Sequence, residues 1–263
     1  MINHPRSGGP PRNDEPDKPG AYEPTDNPPV VQTASSVSKD PPTQPLLAQA
    51  PDPSTLEVFV ELTNGLRATP LHVPQRLLEA FRALKVDPVL SGGAALQIWT
   101  GRFDDIFMTP DLDMVSHLQV RELIEHGINI EKSGRHAIVD GVAVEFPSGD
   151  LAVNDLYLDR KADTVLVPTL TGDRIRCIRP EACVLDRLTQ VVVGKVRVAF
   201  LQAAAVVVAQ SGTPGWDADW IERSAVKAGL SRIWTHLKAD LENPSEDGID
   251  RAVEIGTDRE TWK

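Results

Sequence analysis

The chain has 263 residues, of which 25% are charged, and a formal net charge of −11. It has no apolar run long enough to cross a bilayer as a helix and no apolar signal-peptide core at its start, so we expect a cytoplasmic protein with no membrane contact. The excess of acidic residues argues against binding of nucleic acid through a broad basic surface. Two cysteines with no Cys-x-x-Cys pair and no nearby histidine argue against a zinc site or a redox pair.

The chain divides by composition into four segments. Residues 1–53 hold 13 of the 22 prolines and little apolar periodicity, which predicts a disordered arm. Residues 54–178 are expected to form an α/β domain and residues 179–242 a helical domain. Residues 243–263 are expected to be an acidic tail, either loose or bound to a partner as a helix.

A glycine turn follows the first expected strand. Residues 88–90 are apolar, Ser91-Gly92-Gly93 is expected to turn the chain, and residues 94–100 have apolar side chains at helical spacing. Gly101 is expected to end this helix. The N–H groups of the glycine turn, together with the positive end of the helix dipole, predict an anion site suited to phosphate oxygens.

An Asp-x-Asp motif lies downstream of this turn. Leu112 and Met114 alternate with Asp111 and Asp113, which is the period-2 pattern of a half-buried strand. Both carboxylates therefore face the same side, roughly 6–7 Å apart. Such a pair can hold hard cations that also bind the oxygens of a nucleoside triphosphate, and the expected ion is Mg²⁺, with Mn²⁺ as the alternative.

A third carboxylate is expected from a hairpin further along the chain. Residues 135–139 and 142–146 have strand patterns and are joined by Asp140-Gly141, a dipeptide typical of two-residue hairpin turns. The second strand carries Glu145, which is the first choice for a third metal ligand. Asp150 and Asp155 remain alternatives.

The remaining elements are predicted from periodicity and end signals. They are helices over 56–66, 74–84, 119–126, 179–193, 195–210, 217–227 and 231–242, and strands over 128–131, 164–167 and 174–178. The fold class that follows is α/β (α+β), a mixed sheet with flanking helices followed by a helical bundle, with a cleft between the two parts.

The order of the motifs resembles the polymerase-β-like nucleotidyltransferase superfamily. The matching segments are VLSGGAA at 89–95, TGR at 100–102 and TPDLDM at 109–114. More narrowly, the chain looks like bacterial nucleotidyltransferase-like proteins related to abortive-infection and toxin–antitoxin toxins. The resemblance implies a mixed sheet followed by helices, and transfer of a nucleoside monophosphate from a triphosphate to a hydroxyl, with loss of pyrophosphate.

The resemblance and the local sequence patterns together predict which residues bind the nucleotide. Lys195 and Arg197 precede a C-terminal helix where a basic residue of the related toxins contacts the phosphates, although the acid that often follows it in relatives is missing here. The adjacent Asp186 and Arg187 suit a structural ion pair. The other residues expected to contact the nucleotide are Ser91, Gly92, Gly93, Arg102 and Thr109.

Three functional interpretations follow. The resemblance favours toxin-like modification of tRNA or protein, with an antitoxin or another protein as partner, and the low basicity weakens the tRNA version. A small-molecule nucleotidyltransferase, of the antibiotic-modifying kind, uses the same motifs. A catalytically inactive member of the fold, acting as a binding or assembly module through its acidic arm, is the alternative from a different class.

Overall fold

The structure is a computed structural model, which describes residues 72–104, 106–133, 136–147 and 149–257. The expected arm over 1–53 and the expected helix over 56–66 lie outside these residues. The helices of the described part are α1 (Gln75–Leu84), α2 (Gly92–Thr100), α3 (Val120–Glu125), α4 (Pro180–Val192), α5 (Val198–Gln210), α6 (Ala218–Lys227), α7 (Ser231–Glu242) and α8 (Gly248–Thr257). The strands are β1 (Val89–Ser91), β2 (Leu112–Val115), β3 (Glu131–Ser133), β4 (His136–Val139), β5 (Val142–Glu145), β6 (Ala152–Val153), β7 (Leu156–Tyr157), β8 (Thr164–Pro168) and β9 (Arg174–Ile178).

Seven strands form one mixed sheet in the order β3-β4-β5-β2-β1-β9-β8. Strand β1 pairs antiparallel with β2 and parallel with β9, and β2 pairs parallel with β5. Helices flank this sheet and follow it in the chain. The expected α/β fold with a mixed sheet is therefore confirmed.

The register of the central strands places polar residues in one row. Asp113 of β2 lies opposite Ser91 of β1 on one side and opposite Glu145 of β5 on the other. The β4–β5 hairpin pairs Ala137 with Val144, so the row continues to His136. Residues that are direct partners on neighbouring strands share a face of the sheet and lie close together.

The predicted hairpin turn is confirmed at Asp140-Gly141. Both residues have left-handed backbones, with φ of 50° and 82°, as a type I′ turn requires. The turn fixes the register in which Val139 pairs with Val142. A second small hairpin, β6–β7, was not predicted, since strands of two residues are too short for a periodic pattern.

Helix α2 starts earlier than its apolar pattern indicates. Gly92, with φ of 61°, is already its first residue, so β1 passes into the helix without an intervening loop. The left-handed conformation turns the chain within one residue, and only glycine adopts it at little cost. Gly101 ends the helix as predicted, with φ of 64° and its N–H donating to the Gln97 carbonyl.

The sheet and the helices share one hydrophobic core. Helix α4 lies within it, and its side chains at Cys183, Leu185 and Leu188 are fully buried. The buried Trp99 of α2 donates from Nε1 to the Ile178 carbonyl at 2.8 Å, which fastens α2 to the end of β9. This hydrogen bond holds α2 against the sheet, and the common core joins the later helices to the strands.

The segment after residue 243 forms a helix that packs on the chain itself. Ala252 and Gly256 of α8 are buried, and a Cβ added at Gly256 would lie 2.8 Å from the Val192 Cα of α4. The chain is therefore helical over 248–257, and this helix packs on α4.

Both cysteines are buried and free. Burial raises the pKa of the Cys177 thiol well above its ordinary range and that of Cys183 to about 12, so both thiols stay protonated. No helix among the described residues combines the length and apolarity that a bilayer span requires.

Candidate functional site

Three side chains at one edge of the central strands meet in a small cluster. They are Asp111, His136 and Glu145, whose nearest ligand atoms all lie within 4.8 Å of one another. His136 Nε2 is 2.8 Å from Asp111 Oδ2 and 3.8 Å from Glu145 Oε2. Two carboxylates and an imidazole at this spacing are a donor set for a divalent metal ion.

Asp111 is positioned by the loop that leads into β2. It is 3% exposed, and the Thr109 hydroxyl donates to its Oδ1 at 3.2 Å and to its carbonyl oxygen at 3.1 Å. Gly93 leaves room for this arrangement, because a Cβ there would lie 2.6 Å from the Thr109 Cβ. Thr109 therefore holds the Asp111 carboxylate in place.

The second oxygen of Asp111 fits a bound cation. Its Oδ2 is buried and accepts no hydrogen bond from the described residues, although His136 Nε2 lies 2.8 Å away. A buried carboxylate oxygen without a hydrogen bond is costly. A divalent ion that accepts lone pairs from both atoms would remove that cost, as a proton on the imidazole would, and the residues present fit such an ion.

Asp113 lies beside the cluster, and its surroundings raise its pKa. Burial, followed by the negative charges of Asp111, Glu145 and Asp186, raises its pKa to about 7, and Arg187 opposes the rise. Concentrated negative charge of this kind binds cations. The expected pair of carboxylates, Asp111 and Asp113, is therefore brought together with Glu145.

The two glycines of the predicted phosphate loop approach the acids closely. A Cβ at Gly92 would overlap the Asp113 carboxylate, and Gly93 contacts Thr109 in the same way. No side-chain hydrogen bond from Ser91 caps the first turn of α2. The Ser91 hydroxyl instead lies 3.4 Å from the Asp113 carbonyl oxygen, so it faces the neighbouring strand.

A polar cavity of about 360 Å³ adjoins the cluster. This volume is within the range of small-molecule sites. The sheet side contributes Asp113 and Glu145, while α4 and α5 contribute Arg187, Gln190 and Gln202, so the expected cleft between sheet and helices is present. The other lining residues are Gly93, Leu96, Phe107, Met108, Thr109 and Pro147.

Arg187 is the positive charge among the lining residues that the structure describes. Its Nε and Nη2 donate to the Asp186 carboxylate at 3.0 and 2.5 Å, which confirms the predicted pair. Its Nη1 is 3.5 Å from Gln202 Oε1, and the side chain is 12% exposed. The guanidinium is thus held rigidly at the cavity, where an anionic group can meet it.

Comparisons with known proteins give little beyond this geometry. No family model matches the chain, and no curated protein matches it. Among solved structures it is similar to the antibiotic-resistance factor ANT(2″)-Ia, with 16% identity over 72% of this chain and 96% of that chain and a TM-score of 0.36. At this identity and score, the similarity carries no information on substrate or reaction.

Five of the seven residues predicted to bind the nucleotide are not among those that line the cavity, and Lys195 and Arg197 are two of these five. Lys195 donates from Nζ to the Val192 carbonyl at 2.7 Å and to the Gly256 carbonyl, while Arg197 pairs with Asp250. Both therefore fasten the α4–α5 connection to α8. The sequence pattern around these residues does not reveal that a later helix captures them.

The other predicted contacts lie at or outside the rim of the site. Arg102 pairs with Asp104 at 2.8 Å, and its guanidinium lies 4.1 Å from the ring centre of Phe107, a cavity-lining residue. Asp150 and Asp155 are exposed and are not part of the cluster of Asp111, His136 and Glu145. Glu145, the first choice for the third acid, is the one placed beside Asp113.

His136 is the site residue that the sequence analysis missed. The signal was present in the predicted hairpin, because a two-residue turn at 140–141 pairs residue 139 with 142 and therefore 136 with 145. A histidine directly across from a candidate metal ligand shares its face of the sheet. The spacing of residues along the sequence does not reveal that His136 and Glu145 are neighbours, whereas the register of the two paired strands does.

Lys195→Met is expected to lower the free energy of unfolding by about 1–2 kcal/mol, because two carbonyl oxygens lose a charged donor. Nucleotide affinity should be unchanged. Urea unfolding and nucleotide titration measure the two effects, with the exposed Lys227→Met as control. If Lys195→Met weakened nucleotide affinity and left stability unchanged, Lys195 would be a phosphate-binding residue after all.

Proposed function

We propose that the protein is a metal-dependent nucleotidyltransferase, which moves a nucleoside monophosphate from a nucleoside triphosphate to a hydroxyl group. The observation that carries the proposal is the gathering of Asp111, Asp113 and Glu145 beside a polar cavity, next to the Gly92-Gly93 start of α2. This reaction requires acids that bind metal ions, a cavity that admits the triphosphate, and a helix N-terminus that faces its phosphates.

The acids would hold Mg²⁺ or Mn²⁺ together with the triphosphate. When bound, such ions neutralise charge on the phosphate oxygens and lower the pKa of the attacking hydroxyl. The raised pKa of Asp113 and the buried Oδ2 of Asp111 support this assignment, because both reflect negative charge without enough positive charge nearby.

Two further groups suit the phosphates. The first-turn N–H groups of α2 are not capped by Ser91, and they carry the positive end of the helix dipole. Arg187 supplies a fixed guanidinium from the opposite, helical side of the cavity. Together they orient the triphosphate between sheet and helices, which lowers the entropy cost of reaction.

The reaction then needs no covalent enzyme intermediate. The acceptor oxygen attacks the α-phosphorus, the bond from that phosphorus to the bridging oxygen breaks, and pyrophosphate leaves. The hydroxyl proton passes to a carboxylate, and Asp113 suits this role because it lines the cavity in which the acceptor would bind.

The acceptor belongs to the proposal as a hydroxyl of a protein, a small molecule or an RNA. The net charge of −11 disfavours RNA that is held by general electrostatic attraction. A toxin-like role on protein or tRNA, with an antitoxin partner, is the form that the motif resemblance favours.

Incubation with each α-³²P-labelled nucleoside triphosphate, Mg²⁺ or Mn²⁺, total RNA and cell extract tests the proposal. The wild type is expected to transfer label, and Asp111→Ala/Asp113→Ala to transfer none. Asp150→Ala/Asp155→Ala is the matched control, since it removes two exposed acids outside the cluster. Separation of RNA, protein and small molecules then identifies the acceptor class.

An absence of transfer together with an absence of nucleotide binding would contradict the proposal. The chain would then be the inactive binding or assembly module. Equal transfer by wild type and the Asp111→Ala/Asp113→Ala variant would show that the label comes from another enzyme.

A further inference from the structure

We propose that His136 is a direct ligand of the metal that Asp111 and Glu145 hold, and that its nitrogen makes the site select a first-row transition ion, with Mn²⁺ as the probe, over Mg²⁺. The inference rests on the proposed function for the presence of a metal. It goes beyond that function in naming a ligand and the class of ion.

The distances within the cluster fit one shared ion. Metal–ligand bonds to imidazole nitrogen and carboxylate oxygen are roughly 2.0–2.2 Å long, so ligand atoms on one ion lie about 3 to 4 Å apart. His136 Nε2 lies 2.8 and 3.8 Å from its two carboxylate neighbours, Asp111 and Glu145. A single ion can therefore contact all three side chains after small adjustments.

A second observation points independently to a ligand at this place. The Asp111 side chain is 5% exposed, its Oδ2 accepts no hydrogen bond from the described residues, and this atom is the one nearest His136 Nε2. The cluster also borders the cavity, because Glu145 lines it. An ion held here would therefore lie within reach of a molecule bound in that cavity.

The donor set decides between ions. Mg²⁺ prefers six oxygen ligands and usually retains several waters, whereas imidazole nitrogen suits first-row transition ions. Mn²⁺ accepts both nitrogen and the oxygens of carboxylates and phosphates. The site with His136 should therefore favour Mn²⁺ more strongly than a site of Asp111, Asp113 and Glu145 alone would.

The test measures metal binding without any reaction. Full-length, metal-free protein is titrated with Mn²⁺, and free Mn²⁺ is counted by electron paramagnetic resonance, with Mg²⁺ as competitor. Pulsed resonance on the bound ion detects coupling to the ¹⁴N of a ligated imidazole. We expect that coupling, and Mn²⁺ affinity at least about tenfold above that for Mg²⁺.

Two histidine variants test whether the coupled nitrogen belongs to His136. In His136→Asn the ¹⁴N coupling should disappear and Mn²⁺ affinity should fall by about 10–100-fold, while Mg²⁺ affinity changes little. His126→Asn, at an exposed position after α3, should keep both. If His136→Asn does not fold, His136→Gln is measured in its place, and the wild-type ¹⁴N signal is informative without either variant.

Each outcome separates this inference from the proposed function. Bound Mn²⁺ without ¹⁴N coupling, or equal affinity for both ions, would overturn the role of His136 and leave a carboxylate-only transferase site. Binding of neither ion would overturn the metal site altogether. A nitrogen-ligated Mn²⁺ in a protein that transfers no label would support the present inference and refute the transferase.

Discussion

Asp113→Asn is expected to lower nucleotidyl transfer by about a thousandfold, equivalent to ~4 kcal/mol, because the variant loses charge where the metal and the triphosphate meet. The same change should make the metal-free protein more stable at pH 8. The two effects share a cause, since burial among other acids penalises the ionised carboxylate. Active-site charges of this kind are held at the expense of stability.

The pH dependence follows from the direction of the pKa shift. Folding raises the pKa of Asp113 from 3.8 to about 7, so the stability linked to its protonated form is fully present below pH 3.8 and is lost as the pH rises through 7. The advantage of Asp113→Asn should therefore be largest above pH 7 and vanish near pH 4.

Thermal unfolding in a chelator at pH 4, 6 and 8 measures this effect, and the labelling assay measures transfer. Asp155→Asn is the control at an exposed position and should change neither. An Asp113→Asn protein that is less stable than wild type at pH 8 would show that Asp113 is compensated in the folded chain.

Gly92→Ala is expected to reduce transfer by about a hundredfold or more, because a displacement of about 1 Å in a reacting group has that effect. The added Cβ would overlap the Asp113 carboxylate and push it from the row it shares with Glu145. The backbone at φ 61° adds a second cost of about 1–2 kcal/mol in stability.

Gly172→Ala separates these two costs. Gly172 also has a left-handed backbone, with φ of 85°, but a Cβ there meets nothing within 4 Å. It should lose a similar amount of stability from the backbone alone and keep full transfer. Equal transfer in the two variants would mean that Asp113 accommodates the extra methyl group without moving.

The sequence predicted the parts of the site that depend on local patterns. Alternation of apolar residues predicted the strand that carries Asp113, with Asp111 directly before its first residue, and Asp140-Gly141 predicted the hairpin that carries Glu145. These features depend on backbone preferences over a few residues, which a single sequence displays.

The rest depends on contacts between distant segments. The parallel pairing of β2 with β5, which puts Glu145 beside Asp113, has no local signature. Lys195 and Arg197 were expected at the phosphates, but α8, which begins some fifty residues later, binds both. Basic side chains are long and select their partners only once the helices have packed, so their roles are the hardest to predict.

The direct passage from β1 into α2 has a mechanical consequence. With no loop between strand and helix, we expect this wall of the cavity to move together with the sheet. Opening or closing around a ligand is then expected at the opposite wall. On that side, the Gln202 side chain of α5 donates a hydrogen bond to the Ile106 carbonyl, which connects the helices to the loop before β2. Opening of the cavity is expected to break this hydrogen bond.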